Sequence, residues 1–384
     1  MKKNIFIFCF VFLLSCSVSD NPLNETSMVY KINLENTEEN QNEFLNNVEI
    51  RILPLETNAM NIFKGESSYV YFNDNNIFVF DVSQGSIFRF DKNGNFLNVV
   101  NRKGQGPEEY NVIFNINVDN NYIYALDRKK ILVYDFDGKY NKTIPLKYEA
   151  RQFLVRKDGS IITITNYRQP YQLTVYKRNG EISEFLPTDS SLQKIQVSQS
   201  TYHSLKELGN NVYATCYFDS NIYQWKNDSI FVFAKLDFGN MNIPENFFQC
   251  SVEEYNAKFR EYRSNDKSVF CIDGLVLTDD WLIFTPCLIE PFSVYYNRKT
   301  GSYMLSKKME KPYDLFFGGY NTPDGYNAST GEFYDLVNSM DLKGVIQDLK
   351  EEPDYLNKYP FFRNVDLLKI DENSNDCIVF YKLN

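Results

Sequence analysis

Residues 69–100 read YVYFNDNNIFVFDVSQGSIFRFDKNGNFLNVV, and this stretch decides the fold. It contains four short runs of apolar and aromatic residues (YVYF, IFVFD, SIFRFD and FLNVV), separated by turns rich in Asn, Asp and Gly. Short runs of this kind, bounded by turn-forming residues, predict β-strands joined by tight turns. The stretch therefore predicts one small antiparallel sheet of four consecutive strands.

The same unit, about 34–40 residues long, recurs along the chain, and this length suits a propeller blade. Its further copies cover residues 114–146, 152–187, 203–238 and 274–307. About two strands remain near the C-terminus, whereas the apolar segments 28–35 and 48–56 have no hairpin partner nearby. Pairing these N-terminal segments with the C-terminal strands completes a sixth blade and closes the ring. We therefore predict an all-β fold, a six-bladed β-propeller with short helical insertions between blades.

Four dipeptides inside these units predict the type of hairpin turn. Type I′ turns require a positive φ at both central residues, which Asn, Asp and Gly tolerate. We expect such turns at Asn93-Gly94, Asp137-Gly138, Asp158-Gly159 and Asn179-Gly180.

Three connections between blades are longer than a propeller needs: residues 101–113, 239–270 and 308–361. The second contains VEEYNAKFREYR (252–263), and the third contains GEFYDLVNSMDLKGVIQDLKEE (331–352); both have helical composition and spacing. Such crossings emerge on one face of a propeller, beside the channel. We expect them to cap one mouth and line a binding cleft, because long loops on a rigid scaffold often carry binding residues. The alternative is that they only seal the channel.

Tyrosine, arginine and asparagine side chains near these connections are the candidate ligand contacts. Such side chains stack on a sugar or peptide and donate hydrogen bonds to it or to an anionic group. The candidates are Arg102, Tyr110, Tyr167, Arg168, Arg260, Arg263, Tyr320 and Asn321.

The N-terminus, MKKNIFIFCFVFLLSC, predicts export and a lipid anchor. Two lysines precede an apolar run that is too short to cross a bilayer as a helix, and small Ser15 precedes Cys16 as in a lipobox. We predict a signal peptide over residues 1–15, lipidation of Cys16, a tether over 16–26 and the propeller over 27–384. The anchor would lie in the outer membrane, in the periplasmic or the surface leaflet. The alternative is an ordinary signal peptide with an incidental cysteine.

Composition excludes several functions. The formal net charge of −10 argues against nucleic-acid binding, which relies on clustered Lys and Arg. His203 is the single histidine, so metal sites built from several histidines are excluded. We predict no cofactor and no bound metal.

The cysteine count leaves the redox state open. Five cysteines follow Cys16, so at least one thiol stays unpaired within a monomer. We expect mostly buried free thiols, with a Cys250–Cys271 disulfide as the alternative. The five are Cys216, Cys250, Cys271, Cys287 and Cys377.

The segment NRKGQGPEEY (101–110) resembles the GxGPxEY signature of six-bladed β-propeller lipoproteins of Bacteroidetes. The similarity extends to LPLET before the first blade, to IFRFDKNGNF within it and to ILVYDFDGK after it. The resemblance implies a lipid-anchored propeller in a family that largely lacks an assigned activity. It supplies no catalytic residue.

Together these features favour a binding or interaction protein without enzymatic activity. Its partner would be a glycan, a peptide or another envelope protein, and the chain is expected to act as a monomer, attached to the membrane through its lipid. The alternative is an envelope lyase or hydrolase acting on a polysaccharide through carboxylate or Tyr/Arg chemistry.

Overall fold

The computed structural model describes residues 27–35, 44, 48–63, 68–165, 169–188, 205–209, 211–307, 309–317, 322–365, 370 and 373–383. In chain order its strands are β1 (Met28–Lys31), β2 (Val48–Pro54), β3 (Ser68–Phe72), β4 (Asn76–Asp81), β5 (Ser86–Asp91), β6 (Phe96–Val100), β7 (Asn115–Val118), β8 (Tyr122–Asp127), β9 (Lys130–Asp135), β10 (Tyr140–Pro145), β11 (Gln152–Val155), β12 (Ile161–Ile164), β13 (Tyr171–Tyr176), β14 (Ile182–Pro187), β15 (Leu205–Leu208), β16 (Asn211–Thr215), β17 (Asn221–Lys226), β18 (Ser229–Asp237), β19 (Ile272–Leu277), β20 (Trp281–Pro286), β21 (Val294–Asn297), β22 (Tyr303–Leu305), β23 (Gly325–Asn327), β24 (Glu332–Val337) and β25 (Cys377–Leu383). The α-helices are α1 (Val252–Ser264), α2 (Asp314–Phe317), α3 (Ser339–Leu349) and α4 (Tyr355–Lys358).

These strands form six small sheets, which confirms the prediction of a six-bladed β-propeller. Blades one to five are β3–β6, β7–β10, β11–β14, β15–β18 and β19–β22, and blade six contains β23, β24, β25 and β2. The first strand of each blade lies innermost, and these innermost strands approach one another around a central channel. Alternate side chains of each strand pack against the two neighbouring blades, so apolar cores lie between blades. Phe78, Phe80 and Ile123, for example, are fully buried between blades one and two.

The ring closes through β2. This strand pairs antiparallel with β25 along its whole length, from Val48 opposite Leu383 to Pro54 opposite Cys377. Buried Asn375 reinforces the closure, because its amide donates to the carbonyls of Glu56 and Asn61 at 2.9 Å each. The prediction that segment 48–56 completes blade six is confirmed.

Strand β1 does not join blade six, so the prediction for segment 28–35 is wrong. It lies parallel to β18, with Met28 opposite Ala234 and Lys31 opposite Asp237, and adds a fifth strand to blade four. The reason is apolar burial, because Ile32 and Leu34 insert into the core between blades four and five.

The segment 331–352, predicted as helix, is divided into two elements. The prediction is wrong over Glu332–Val337, which form strand β24, and helix α3 begins only at Ser339. Pairing with β25 overrides the local preference, and the ring of Phe333 stacks on Tyr381 with centroids 5.5 Å apart. Strands β23 and β24 therefore lie within the segment 308–361, and residues 338–376 connect β24 to β25.

The predicted hairpin turns form with a different backbone. Gly94 has a φ of 84° and Gly138 a φ of 78°, but neither Asn93 nor Asp137 has a positive φ, so the type I′ prediction is wrong. In the first turn the Gly94 N–H donates to the Asp91 carbonyl and the Asp91 N–H donates to the Asn95 carbonyl. This hairpin loop is longer than the two-residue loop of a type I′ turn, and within it only the glycine takes the left-handed conformation.

Connections alternate between the two ends of each blade because neighbouring strands are antiparallel. We call the end that carries the short turns, such as 92–95 and 136–139, the turn face. The other end, the loop face, carries the long connections 101–114, 238–271 and 338–376. Within the part of the chain described, no helix has the length and apolar character needed to cross a membrane.

Because β2 closes the ring, we expect the loss of a buried side chain from β2 to lower the stability of the protein strongly. Ile52 lies on β2 and is buried, whereas Leu97, on the outermost strand of blade one, is exposed. We expect Ile52→Ala to lower the free energy of unfolding by about 3 kcal/mol and Leu97→Ala by less than about 1 kcal/mol. Urea titrations of both variants measure this difference, and equal losses would contradict the closure.

Candidate functional site

An open concavity lies at the rim of the loop face, beside blades four and five. Two adjoining cavities of about 800 Å³ and about 430 Å³ share Leu34, Glu35, Asn240 and Met241 in their walls. We call them together the side groove. Its larger part is within the range of volumes that small-molecule sites occupy, about 300–1,000 Å³.

Helix α1 forms one wall of the side groove, and its sequence explains its position. Ser251 begins the helix with a capping box: its hydroxyl accepts the Glu254 N–H, and the Glu254 carboxylate accepts the Ser251 N–H. Tyr255 and Phe259 are buried in an aromatic cluster with Phe247 and with further rings of this crossing. The helix is therefore held firmly on the propeller, and its C-terminal end faces the groove.

Blade five supplies the opposite wall. The turn after α1 places Asp266 in the left-handed region, with a φ of 48°, and its carboxylate accepts the N–H of Ile289 at 2.8 Å. This bond joins the end of the helix to the loop between β20 and β21. Tyr262 is half-buried at the edge of the groove, packed against Phe247 at 5.1 Å between ring centroids.

The charges in the side groove are mixed and largely satisfied. The Lys307 ammonium lies 4.4 Å from the centre of the Phe292 ring and donates to the Leu34 carbonyl. Burial lowers the pKa of Lys307, and the nearby carboxylates of Glu290, Glu35 and Asp266 oppose that effect. Lys267 forms an ion pair with Glu261 at 2.7 Å. The groove thus presents donors and acceptors side by side without a strong excess of either charge.

The central channel holds a second polar cluster, which connects three blades. Lys206 on β15 reaches across the channel, and its ammonium donates to the carbonyl of Asp324, just before β23, at 2.8 Å. The Asp324 carboxylate accepts the N–H of Val70, on the innermost strand of blade one, at 3.0 Å. These contacts link blades four, six and one directly.

Burial in the channel shifts the pKa values of the Asp324 carboxyl and of the Lys206 ammonium. Desolvation raises the pKa of Asp324 to about 7, against the Val70 N–H and the Lys206 charge, which lower it. Desolvation lowers the pKa of Lys206 to about 8, against Asp324 and Asp273, which raise it. Burial in the channel thus favours the neutral form of both groups.

Two tyrosines also line this part of the channel. The Tyr71 hydroxyl accepts the Asn115 amide at 3.1 Å. The Tyr334 hydroxyl lies over Gly325, where the Cβ of any other residue would collide with it. No group of three or more His, Cys, Asp or Glu side chains with a geometry suited to a metal occurs among the described residues. Because Lys206 and Asp324 bond to the backbone of neighbouring blades, we take the side groove as the candidate ligand site.

The candidate residues from the sequence do not form one site. Tyr110 is fully buried; its hydroxyl donates to the Gly85 carbonyl and accepts the Arg102 N–H, both at 2.8 Å. Arg102 in turn donates to the Gly138 carbonyl, so these two residues brace the first crossing. Arg260 and Arg263 lie on the exposed side of α1. Cys16, Tyr167, Arg168, His203, Tyr320 and Asn321 lie outside the described residues.

The connection 239–270, which we expected from the sequence to line a cleft, supplies Asn240, Met241, Tyr262 and residues 265–268 of the side groove. None of the eight candidate residues named from the sequence is among these lining residues. Tyr262 falls in the segment 252–263 that was predicted as helix, and its aromatic character was a usable signal. Nothing in the sequence marked Lys307, because it joins this connection only through folding.

The raised pKa of Asp324 predicts a pH-dependent stability. From about pH 4 to about pH 7 the folded protein retains a proton that the unfolded chain has released, so this group makes the free energy of unfolding fall as the pH rises. We expect Asp324→Asn to make that fall smaller, as measured by urea titrations across the interval. The control is Asp91→Asn on the turn face, where hydrogen bonds from Asn95 lower the pKa of the carboxyl, so that its effect lies at lower pH. Identical slopes in wild type and Asp324→Asn would contradict the burial of this charge.

Solved structures from Bacteroides are among those similar to this chain. A protein named as exported, from Bacteroides fragilis NCTC 9343, is 18% identical with a TM-score of 0.68; the match covers 94% of this chain and 100% of that one. A member of the DUF4221 family from Bacteroides vulgatus ATCC 8482 is 10% identical with a TM-score of 0.46, and the match covers 88% and 99% of the two chains. At these identities the likeness concerns the fold alone. No curated protein sequence matches the chain at a significant level.

The sequence also matches a family profile over nearly all of its propeller. The profile is described as a domain of unknown function, DUF4934, and it matches residues 29–382, from β1 in blade four to β25 in blade six. The chain belongs to the DUF4934 family.

Proposed function

We propose that this protein is a binding protein of the cell envelope, anchored to the outer membrane by lipid on Cys16, which holds a neutral oligosaccharide in the side groove. The observation that carries the proposal is the groove itself, an open concavity of about 800 Å³ on a rigid scaffold. The export of the chain is supported by its N-terminal sequence and by the similar Bacteroides protein that is named as exported.

The chemistry of the groove favours a neutral ligand rich in hydroxyl groups. Its charged lining includes three lysines and four acids, so no excess of positive charge is present to hold an anion. A sugar hydroxyl both donates and accepts, and it suits a wall in which amides, carboxylates and ammonium groups alternate. Tyr262 provides an aromatic surface at the edge, against which the apolar face of a sugar ring can pack.

A catalytic role has less support. The Asp266 carboxylate accepts the Ile289 N–H, and the two exposed acids of the groove, Glu35 and Glu290, come from separate segments of the chain. Glycoside hydrolysis requires two carboxyl groups at a defined separation. Binding without turnover is therefore the function that we favour over a lyase or hydrolase.

Blocking the groove should abolish binding. Asn240 is exposed and lies in the wall shared by both cavities, so Asn240→Trp fills the groove without disturbing a core. We expect an oligosaccharide selected from an array of neutral and uronate-bearing glycans to bind the variant about tenfold or more weakly than wild type, by titration calorimetry. The control is Asn121→Trp, an exposed asparagine on the turn face, which should bind as wild type does.

Three results would contradict the proposal. The first is an array on which no oligosaccharide binds, and the second is equal affinity in wild type and Asn240→Trp. The third is release of new reducing ends or unsaturated sugars from the bound glycan, which would favour the enzymatic alternative. If only peptides from a parallel peptide library bind, the proposed ligand class is wrong, whereas the side groove remains the proposed binding site.

The anchor has its own test. Cells supplied with radiolabelled palmitate should label the wild-type protein, and Cys16→Ala should abolish the labelling and move the protein to the aqueous phase in detergent partitioning. Cys9→Ala is the matched control, because Cys9 lies inside the apolar run of the signal peptide. Unchanged labelling of Cys16→Ala would exclude lipidation at that residue.

A further inference from the structure

Two cysteines face each other where blade five begins. Cys271 immediately precedes β19, and Cys287 immediately follows β20. The register that places Ile272 opposite Pro286 continues to these cysteines, and the Cys287 N–H donates to the Cys271 carbonyl at 3.1 Å. Directly opposite residues of an antiparallel pair have Cα atoms about 4.5–5.5 Å apart and side chains on the same face. A disulfide requires Cα atoms about 4.4–6.8 Å apart, so the pair can be bridged without backbone movement.

The two thiols already interact. A hydrogen bond from the Cys271 thiol to the Cys287 sulfur raises the pKa of Cys271, and burial adds to this effect. Cys271 is buried, whereas Cys287 is partly accessible. Cys250, in the same aromatic cluster, donates its S–H to the Phe247 carbonyl at 3.4 Å instead. The thiol of Cys271 thus contacts Cys287. From the sequence we considered a different pair, Cys250 and Cys271.

We propose that Cys271 and Cys287 form a reversible disulfide in the oxidising envelope. The oxidant is a disulfide of low molecular weight or a thiol–disulfide oxidoreductase. The Cys287 thiolate attacks one sulfur of the donor, which forms a mixed disulfide and releases the first donor thiol. The Cys271 thiol loses its proton and attacks the Cys287 sulfur, which releases the second. Two protein thiols are oxidised, and one donor disulfide is reduced to two thiols.

The bond would fasten the two walls of the side groove to each other. Residues 268 and 288, which lie three residues before Cys271 and one after Cys287, both line the groove. In the reduced protein the hydrogen bond from the Ile289 N–H to the Asp266 carboxylate already joins these walls. The disulfide adds a covalent link at their base. The inference uses the proposed function only for the compartment that supplies the oxidant, and its test needs no ligand.

Peptide mapping of the full chain tests the pairing. The protein is equilibrated with oxidised glutathione, free thiols are alkylated, and the chain is digested without reductant. No Lys or Arg lies between Cys271 and Cys287, whereas Asp273, Asp279 and Asp280 do, so cleavage at aspartate separates the two cysteines. We expect their two peptides to be recovered joined, at a mass two hydrogens below their sum, and separate after reduction. Cys250 should be recovered alkylated.

A variant and a reduced control complete the design. In Cys287→Ser, Cys271 has lost its partner and should be recovered with an alkylated thiol or a glutathione adduct. Circular dichroism verifies that the variant is folded, and the mapping of wild type stands even if it is not. The proposal is overturned if wild type shows both thiols alkylated after oxidation, or if Cys250 is joined to either cysteine. Failure of glycan binding would leave this result unaffected.

Discussion

The antiparallel pairing of β2 with β25 is the interaction on which the rest of the structure depends. Blades one to five are each built from consecutive strands, but blade six is assembled from both ends of the described chain. Without β2, the last blade would lose its outermost strand, and the core between blades six and one would lose the side chain of Leu53. The side-chain amide of Asn375 stabilises this pairing further, because it donates hydrogen bonds to two carbonyls of the connection that leads from β2 into blade one.

Closing a ring of apolar blades leaves a channel whose inner edges carry unpaired backbone groups. In this protein the side chains of the channel satisfy some of them: Asp324 accepts the Val70 N–H, and Lys206 spans from blade four to the Asp324 carbonyl. Burying a charge pair is costly unless its hydrogen bonds are made. These groups therefore fix the relative positions of three blades. The side groove lies at the rim, where the C-terminal end of helix α1 meets blade five.

The repeated strands and the closure could be predicted from the sequence because both depend on local patterns. Alternating aromatic runs mark each strand, and a segment such as 48–56 with no hairpin neighbour must find a distant partner. The position of β1 could not be predicted in this way, since it depends on the apolar space between blades four and five that receives Ile32 and Leu34. Strand β24 was missed for a related reason: its composition suits a helix, and its pairing with β25 comes from folding. The candidate site depends on such contacts throughout, so the sequence identified helix α1 but neither Lys307 nor the bridge from Lys206 to Asp324.

The position of β1 connects the N-terminal side of the described chain to the side groove. This strand runs parallel to the last four residues of β18, with Met28 opposite Ala234 and Lys31 opposite Asp237. Residues 31–35, at the end of β1 and directly after it, line the groove. If Cys16 carries the lipid proposed above, the 11 residues from 17 to 27 span at most about 40 Å. The proposed anchor and the proposed ligand site would then be joined by a single extended strand.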